Sequence, residues 1–306
     1  MLSLGAACMF AGLLYFVVTA KQIAPKYRIA NWLGAVVMVS AALELGNQYI
    51  VWKGTITGLE SADGGTVFGA FGSYAFSNGY RYVNWSIDVP VLLAQFVVVF
   101  GLVGRKFWSP VIQFTIAGLL MIYTGYIGQY YEAVPTVASN IGALAEADPS
   151  ILVAGNTVGD VGQPWPYWFW FVVSCVFYAW ILLLVLKVGL SPDNLSKLPP
   201  KAQAWMKTVV WTLVGSWMLY LVGYLMPAVS ISEESAVIRQ AAYTIADVVS
   251  KVIYGIMIGY VAVLRSNAEG YQEARLDRLG FDHGGRALGE YDPATDNGHA
   301  TTTTTA

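Results

Sequence analysis

Residues 237–264 read VIRQAAYTIADVVSKVIYGIMIGYVAVL, an apolar run that nevertheless carries Arg239, Asp247 and Lys251. It exceeds the roughly 20 residues needed to cross the hydrocarbon layer as a helix. Six further runs of that kind precede it, at about 2–20, 29–52, 80–103, 109–131, 166–188 and 204–227. With 56% hydrophobic and only 12% charged residues, 11 Trp and 19 Tyr, the chain is too apolar for an ordinary soluble domain. The fold expected is an all-α membrane protein, a bundle of seven transmembrane helices spanning 1–266, followed by a tail at 267–306. That tail turns charged and then rich in Gly and Thr, so it is expected to be disordered.

Basic residues set the orientation. Lys21, Lys26 and Arg28 lie between the first two runs, Arg105 and Lys106 between the third and fourth, and Lys187, Lys197, Lys201 and Lys207 around the fifth connection. Those segments are expected in the cytoplasm. The interval between Lys106 and Lys187 holds no Lys or Arg but contains Glu132, Glu146, Asp148 and Asp160, so it reads as external. Seven spans then put the N-terminus outside and the C-terminus in the cytoplasm. The stretch from Gly54 to Asn78 has the composition of a short hairpin, and the one from Val134 to Pro166 is long enough to cover a surface or make a contact. A net charge of −2 without a basic block gives no reason to expect a nucleic-acid partner. Cys8 and Cys175 lie inside apolar runs, while His283 and His299 lie in the tail, which excludes a histidine-ligated metal site in the membrane. No basic leader or small-residue cleavage site opens the chain, so a removable signal peptide is not expected.

Ionised groups inside a bilayer are costly enough that each marks a functional candidate. Those found are Glu44 in the second run, Arg81 and Asp88 in the third, and Asp247 and Lys251 in the seventh, with Arg239 nearer an end. Asp247 and Lys251 stand one helical turn apart on one face. Such a pair reads equally well as a structural ion pair or as a reactive site, because a buried lysine is also the side chain that forms Schiff bases. In the third run Arg81, Asn84, Asp88 and Gln95 share one face over about 20 Å of helix. A polar stripe of that kind can carry ions or merely glue helices together.

Arg-Tyr-x-x-Trp at 81–85 followed by Pro90, together with Asp-x-x-x-Lys at 247–251, resembles the pocket of the microbial rhodopsins. Asn84, Asp88 and Gln95 match the Asn-Asp-Gln triplet of the sodium-pumping branch, where ordinary proton pumps carry Asp, Thr and a carboxylate donor. The stretches 11–16, 35–40, 124–129 and 243–247 are similar to that branch as well. The resemblance implies a transporter rather than an enzyme: a light-driven outward sodium pump, multi-pass in a bacterial inner membrane, exchanging sodium ions and protons. An outward proton pump with weak sodium transport, or a photosensor, is the alternative. It further implies all-trans retinal held on Lys251 as a protonated Schiff base, Asp88 as counterion and proton acceptor, and Asp247 as a second carboxylate. Trp85, Trp170, Trp217 and Tyr220 would enclose the polyene, and Gly125 would leave room near the ring. Asn31, Ser40, Gln95 and Gly259 fall on the family's cytoplasmic uptake path; Arg81, Gln48, Glu132 and Arg239 fall on the outer release side. Sodium would be met transiently by Asn84, Asp88 and Asp247, and a homo-oligomer, a pentamer in the branch, is implied too.

Three departures stand out. Glu44 occupies a position that is apolar in the best-known members, and it reads either as an added counterion or as a neutral acid bonded to Ser40 or Asn84. Leu221 replaces the sixth-helix proline, so the local bend is expected to differ. The branch's external N-terminal helix is not expected here. Gln95 cannot titrate, so the proton taken by Asp88 is expected to return from Asp88 itself.

Overall fold

The structure, a computed structural model, describes residues 1–57, 78–132, 163–229 and 233–271. Most of the expected hairpin, whose first residues 54–57 belong to a helix instead, most of the 134–166 connection and the tail beyond 271 lie outside the described residues. Seven long helices are present among the described residues: α1 (Leu2–Thr19), α2 (Pro25–Thr57), α3 (Gly79–Val98), α4 (Arg105–Tyr130), α5 (Trp165–Gly189), α6 (Pro200–Val229) and α7. The last consists of Glu233–Asp247, a π-helical stretch Val248–Ile253, and Tyr254–Ala268. A single helical turn at Pro192–Leu195 joins α5 to α6.

Six of these helices are long and apolar enough to cross a membrane. The exception is α3, whose buried Arg81, Asn84, Asp88 and Gln95 dilute its apolar content. Consecutive helices pack side by side, and α7 closes the ring against α1 and α2. The inward faces supply the core, with Met9, Phe16, Met38, Leu45, Leu93, Phe96, Phe114, Ile181, Val210, Leu213 and Ile258 fully buried. The outward faces show Leu14, Leu43, Val83, Val172, Leu183 and Trp211, large apolar side chains left for the acyl chains to solvate. The result is a multi-pass membrane protein, a seven-helix bundle.

Most helices overrun the apolar runs that mark them. α2 starts at Pro25 and α6 at Pro200, where a proline costs no hydrogen bond because the first-turn N–H groups are unpaired in any helix. The unbroken α6 also runs straight past Leu221. α3 instead stops at Val98, five residues before the end of its run. There Gly101 N–H donates to Val98 O, and Gly101 turns the chain with a φ of 57°. A methyl group on Gly101 would also lie 2.9 Å from the Arg265 guanidinium, which donates to Val99 O and stacks on Tyr27. Gly101→Ala is expected to destabilise the protein by about 1–2 kcal/mol from the backbone alone, read as a lower melting temperature by circular dichroism.

Candidate functional site

The π-helical stretch of α7 fixes the centre of the molecule. The consecutive residues Ser250, Lys251 and Val252 are all buried in this wider turn, where a regular helix would spread them over about 200°. Lys251 Nζ thereby reaches three oxygens at once: Asp88 Oδ2 at 2.9 Å, Asp247 Oδ1 at 2.8 Å and Asn84 Oδ1 at 3.1 Å. Asn84 is oriented by donating from Nδ2 to Ser40 Oγ at 2.6 Å, which leaves its carbonyl oxygen facing the lysine. Asn84 and Asp88, the middle of the polar stripe of α3, thus meet the lysine, and all four members of the stripe are buried.

The two carboxylates are held very differently. Asp247 receives the Arg81 guanidinium at 2.7 Å, the Tyr220 hydroxyl at 2.7 Å and the Trp85 indole N–H at 3.3 Å, in addition to Lys251. Four donors, two of them cationic, surround it. Asp88 has the lysine and the neighbouring Ser40 hydroxyl, and among the described residues neither of its oxygens has a well-aligned hydrogen-bond donor. A proton arriving at this site therefore costs fewest bonds on Asp88.

Arg81 is fully buried and extends the network, donating to Gln240 Oε1 at 3.3 Å and Thr244 Oγ1 at 3.4 Å. Glu44 lies 4.0 Å from Arg81 Nε, and its two oxygens are buried without a hydrogen-bond partner among the described residues. Neither Ser40 nor Asn84 bonds to it, so the reading of Glu44 as an acid tied to those residues is corrected. Further toward the same end, Arg239 Nη1 holds both oxygens of Glu132 at 2.6 Å, joining α7 to the end of α4. Gln48 is buried on α2.

Asn31, Gln95 and Gly259 lie on the other side of Lys251. Asn31 Nδ2 donates to Phe16 O and Thr19 Oγ1, and its Oδ1 would sit 3.1 Å from a methyl group on Gly259. Ser40 is one turn from Glu44 and faces α3, so it joins the central cluster through Asn84.

A cavity opens from Lys251 between α3, α4, α5 and α6. Trp85, Trp217, Tyr220, Gly125 and Leu221 line it, as do Val89, Leu92, Met121 and Ile122. Trp170 does not. The cavity face of α5 consists of Phe171, Ser174, Cys175 and Tyr178, and the helical rotation turns Trp170 toward α4, where its Cβ packs against Gly128. Tyr178 stacks on Trp217 with the ring centroids 6.4 Å apart, and Tyr167, Tyr224 and Phe171 stack at the distal end. At Gly125 a methyl group would lie 3.2 Å from Ser174 Oγ, a contact tight enough that Ser174 would have to shift. Four residues on α5 and four on α6 (Trp217, Tyr220, Leu221 and Tyr224) repeat the same helical spacing, a signal that marks the missed residues once the facing helices are known. A long apolar slot ending in a buried amine fits a conjugated aldehyde that becomes covalently attached.

The family model for bacteriorhodopsin-like proteins matches residues 1–264. A green-light absorbing proteorhodopsin of Gamma-proteobacterium EBAC31A08 is 22% identical over 262 residues, covering 85% of this chain and 84% of that protein. Among solved structures, a thermophilic rhodopsin superposes with a TM-score of 0.71 at 25% identity, covering 88% of this chain and 94% of its own. Xanthorhodopsin, a light-driven ion pump with dual chromophore, gives 0.69 at 24% identity, with 89% and 94% covered. The chain therefore belongs to the bacteriorhodopsin-like proteins, the microbial rhodopsins, whose members bind retinal as their chromophore.

Proposed function

We propose that the protein is a light-driven pump that exports sodium across a bacterial inner membrane, with its N-terminus outside, its C-terminus in the cytoplasm and all-trans retinal on Lys251. Homo-oligomeric assembly, as a pentamer, belongs to the same reading. When bound, retinal supplies light absorption and an isomerisation that re-aims the lysine nitrogen. The observation that carries the proposal is the inequality of the two carboxylates around that nitrogen, combined with an amide at position 95. Asp247 is locked by four donors, whereas Asp88 is free to take the proton.

A fixed positive charge at Lys251 Nζ opposes any cation at the midplane, and low dielectric magnifies the repulsion. Moving its proton to Asp88 cancels one positive and one negative charge together. Asn84 Oδ1 and Asp247 Oδ1, both within 3.1 Å of the nitrogen, then offer hard oxygen ligands to a sodium ion passing between them. Gln95 is buried on the uptake side and has no proton to give, so Asp88 returns its own and the net cargo is the sodium. Arg81, held by Asp247, presents a permanent positive charge against return from the outer side.

Illuminated cells or vesicles test this directly. In NaCl, sodium export drives protons inward passively, and an uncoupler enhances the movement; in KCl the signal vanishes. Light-driven acidification that an uncoupler abolishes would identify an outward proton pump instead, and a slow photocycle without ion current would identify a photosensor. Glu44 yields a separate expectation. As an added negative charge in the network, it favours positive charge localised at the nitrogen, so Glu44→Gln shifts the visible absorption to longer wavelength. A spectrum that Glu44→Gln leaves unchanged at every pH would remove Glu44 from the counterion.

A further inference from the structure

Phe16 is fully buried at the seam of α1, α2 and α7, and helix backbone crowds its ring on two sides. A methyl group on Gly34 would lie 2.9 Å from Phe16 Cε1 and Cζ, and one on Gly255 would lie 2.7 Å from Cζ. Two glycines on different helices therefore make a slot in which the ring edge meets backbone. The slot separates polar atoms that belong to different helices. On one side Gln95 Nε2, buried and without a hydrogen-bond partner among the described residues, would be 3.0 Å from the same Gly34 methyl. On the other, Asn31 Oδ1, likewise buried and unpartnered among the described residues, faces Gly259, while Asn31 Nδ2 bonds the Phe16 carbonyl. Unsatisfied buried polar atoms are costly, and two of them flanking one apolar ring are not explained by packing.

We propose that Phe16 is the constriction of the uptake path, a specificity-determining residue that must swing aside for a cation to move from Asn31 to Gln95. This rests on the pump reading. The glycines leave no side chain for the ring to strike as it turns, and the two unpartnered amides supply a carbonyl oxygen on one side and room for a reoriented amide on the other. A ring that opens only partly passes a small dehydrated ion and holds back a larger one, so the residue sets the size of ion admitted. It is not among the residues that line the retinal cavity.

The test compares the unmodified protein with Phe16→Ala, Phe16→Leu and Gly34→Ala in retinal-loaded vesicles, with light-driven sodium and potassium fluxes and the sodium-dependent photocycle step recorded. Phe16→Ala is expected to admit potassium to the light-driven current while leaving the absorption maximum in place. Gly34→Ala pins the ring and is expected to slow the sodium-dependent step about ten-fold, a barrier raised by about 1.4 kcal/mol. Phe16→Leu keeps the seam filled without the flat ring, and it is expected to show the same loss of selectivity if Phe16→Ala does not fold. Unaltered selectivity and rate in these variants, beside normal sodium export by the unmodified protein, overturns the constriction and leaves the pump standing. Absence of sodium export by the unmodified protein overturns both, through the pump.

Discussion

Lys251→Ala is expected to give a colourless protein: no visible band forms on adding retinal, and light moves no ions. The expectation follows from the cavity, in which Lys251 is the one amine among the lining residues, beside Asp88 and at the end of a wall otherwise made of aromatic and aliphatic side chains and a few small polar groups. Stability falls as well, and the reason is electrostatic. Removing the shared cation from a buried pair typically costs about 3–5 kcal/mol when the partner charge is left alone. Here the loss is unequal. Asp247 keeps Arg81, Tyr220 and Trp85, whereas Asp88 keeps no well-aligned donor among the described residues and is expected to survive only as the neutral acid. Adding Asp88→Asn to Lys251→Ala should therefore recover part of the lost stability, measured by thermal melting of the retinal-free protein. Adding Asp247→Asn should recover none. A coloured, transporting Lys251→Ala protein would overturn the assignment of the cavity and the reading of α7 alike.

The bundle was legible because membrane crossing makes simple demands. Seven apolar runs of sufficient length leave little choice of fold, and the deviation at α3 arises because four polar residues on one face are compatible with a helix buried on that face. The ends were less legible. Whether a chain stops at Val98 or continues to residue 103 depends on a glycine adopting positive φ under Arg265, a partner 164 positions away in the sequence that no local pattern announces. At the site, spacing put Asp247 and Lys251 on one face and Arg81, Asn84, Asp88 and Gln95 on another, and the structure brings Asn84, Asp88 and Asp247 to one nitrogen.

Sequence spacing does not say what faces a helix from outside it. Trp170 was an attractive wall residue by type, yet one position of helical rotation gives that wall to Phe171. The resemblance puts Ser40 along the uptake path, and the structure adds that its hydroxyl accepts from Asn84 Nδ2, which decides which end of the amide meets the lysine. Nor does type distinguish two aspartates. Only the donors gathered around Asp247 from α3, α6 and α7 set it apart from Asp88.

That distinction has its sharpest consequence in Asp88→Asn. The substitution keeps the shape of a fully buried side chain and removes a carboxylate whose oxygens have no well-aligned donor among the described residues, so the fold is expected to persist. Lys251 Nζ retains Asp247 Oδ1 at 2.8 Å and Asn84 Oδ1 at 3.1 Å. What disappears is the base. Positioned proton transfer is commonly worth about 10²–10⁴ in rate, and without an acceptor the positive charge stays at the midplane and continues to repel sodium, so light-driven export should drop by about 10² or more. Absorption should move to longer wavelength, since a negative charge beside the nitrogen has gone. Asp247→Asn makes the informative contrast: it breaks the Arg81 ion pair and weakens the bonds from Tyr220 and Trp85, so it should lower the melting temperature far more than Asp88→Asn does. If Asp88→Asn exports sodium at the normal rate while Asp247→Asn folds normally and does not, the acceptor is Asp247, and the four donors around that carboxylate have been misread as a lock.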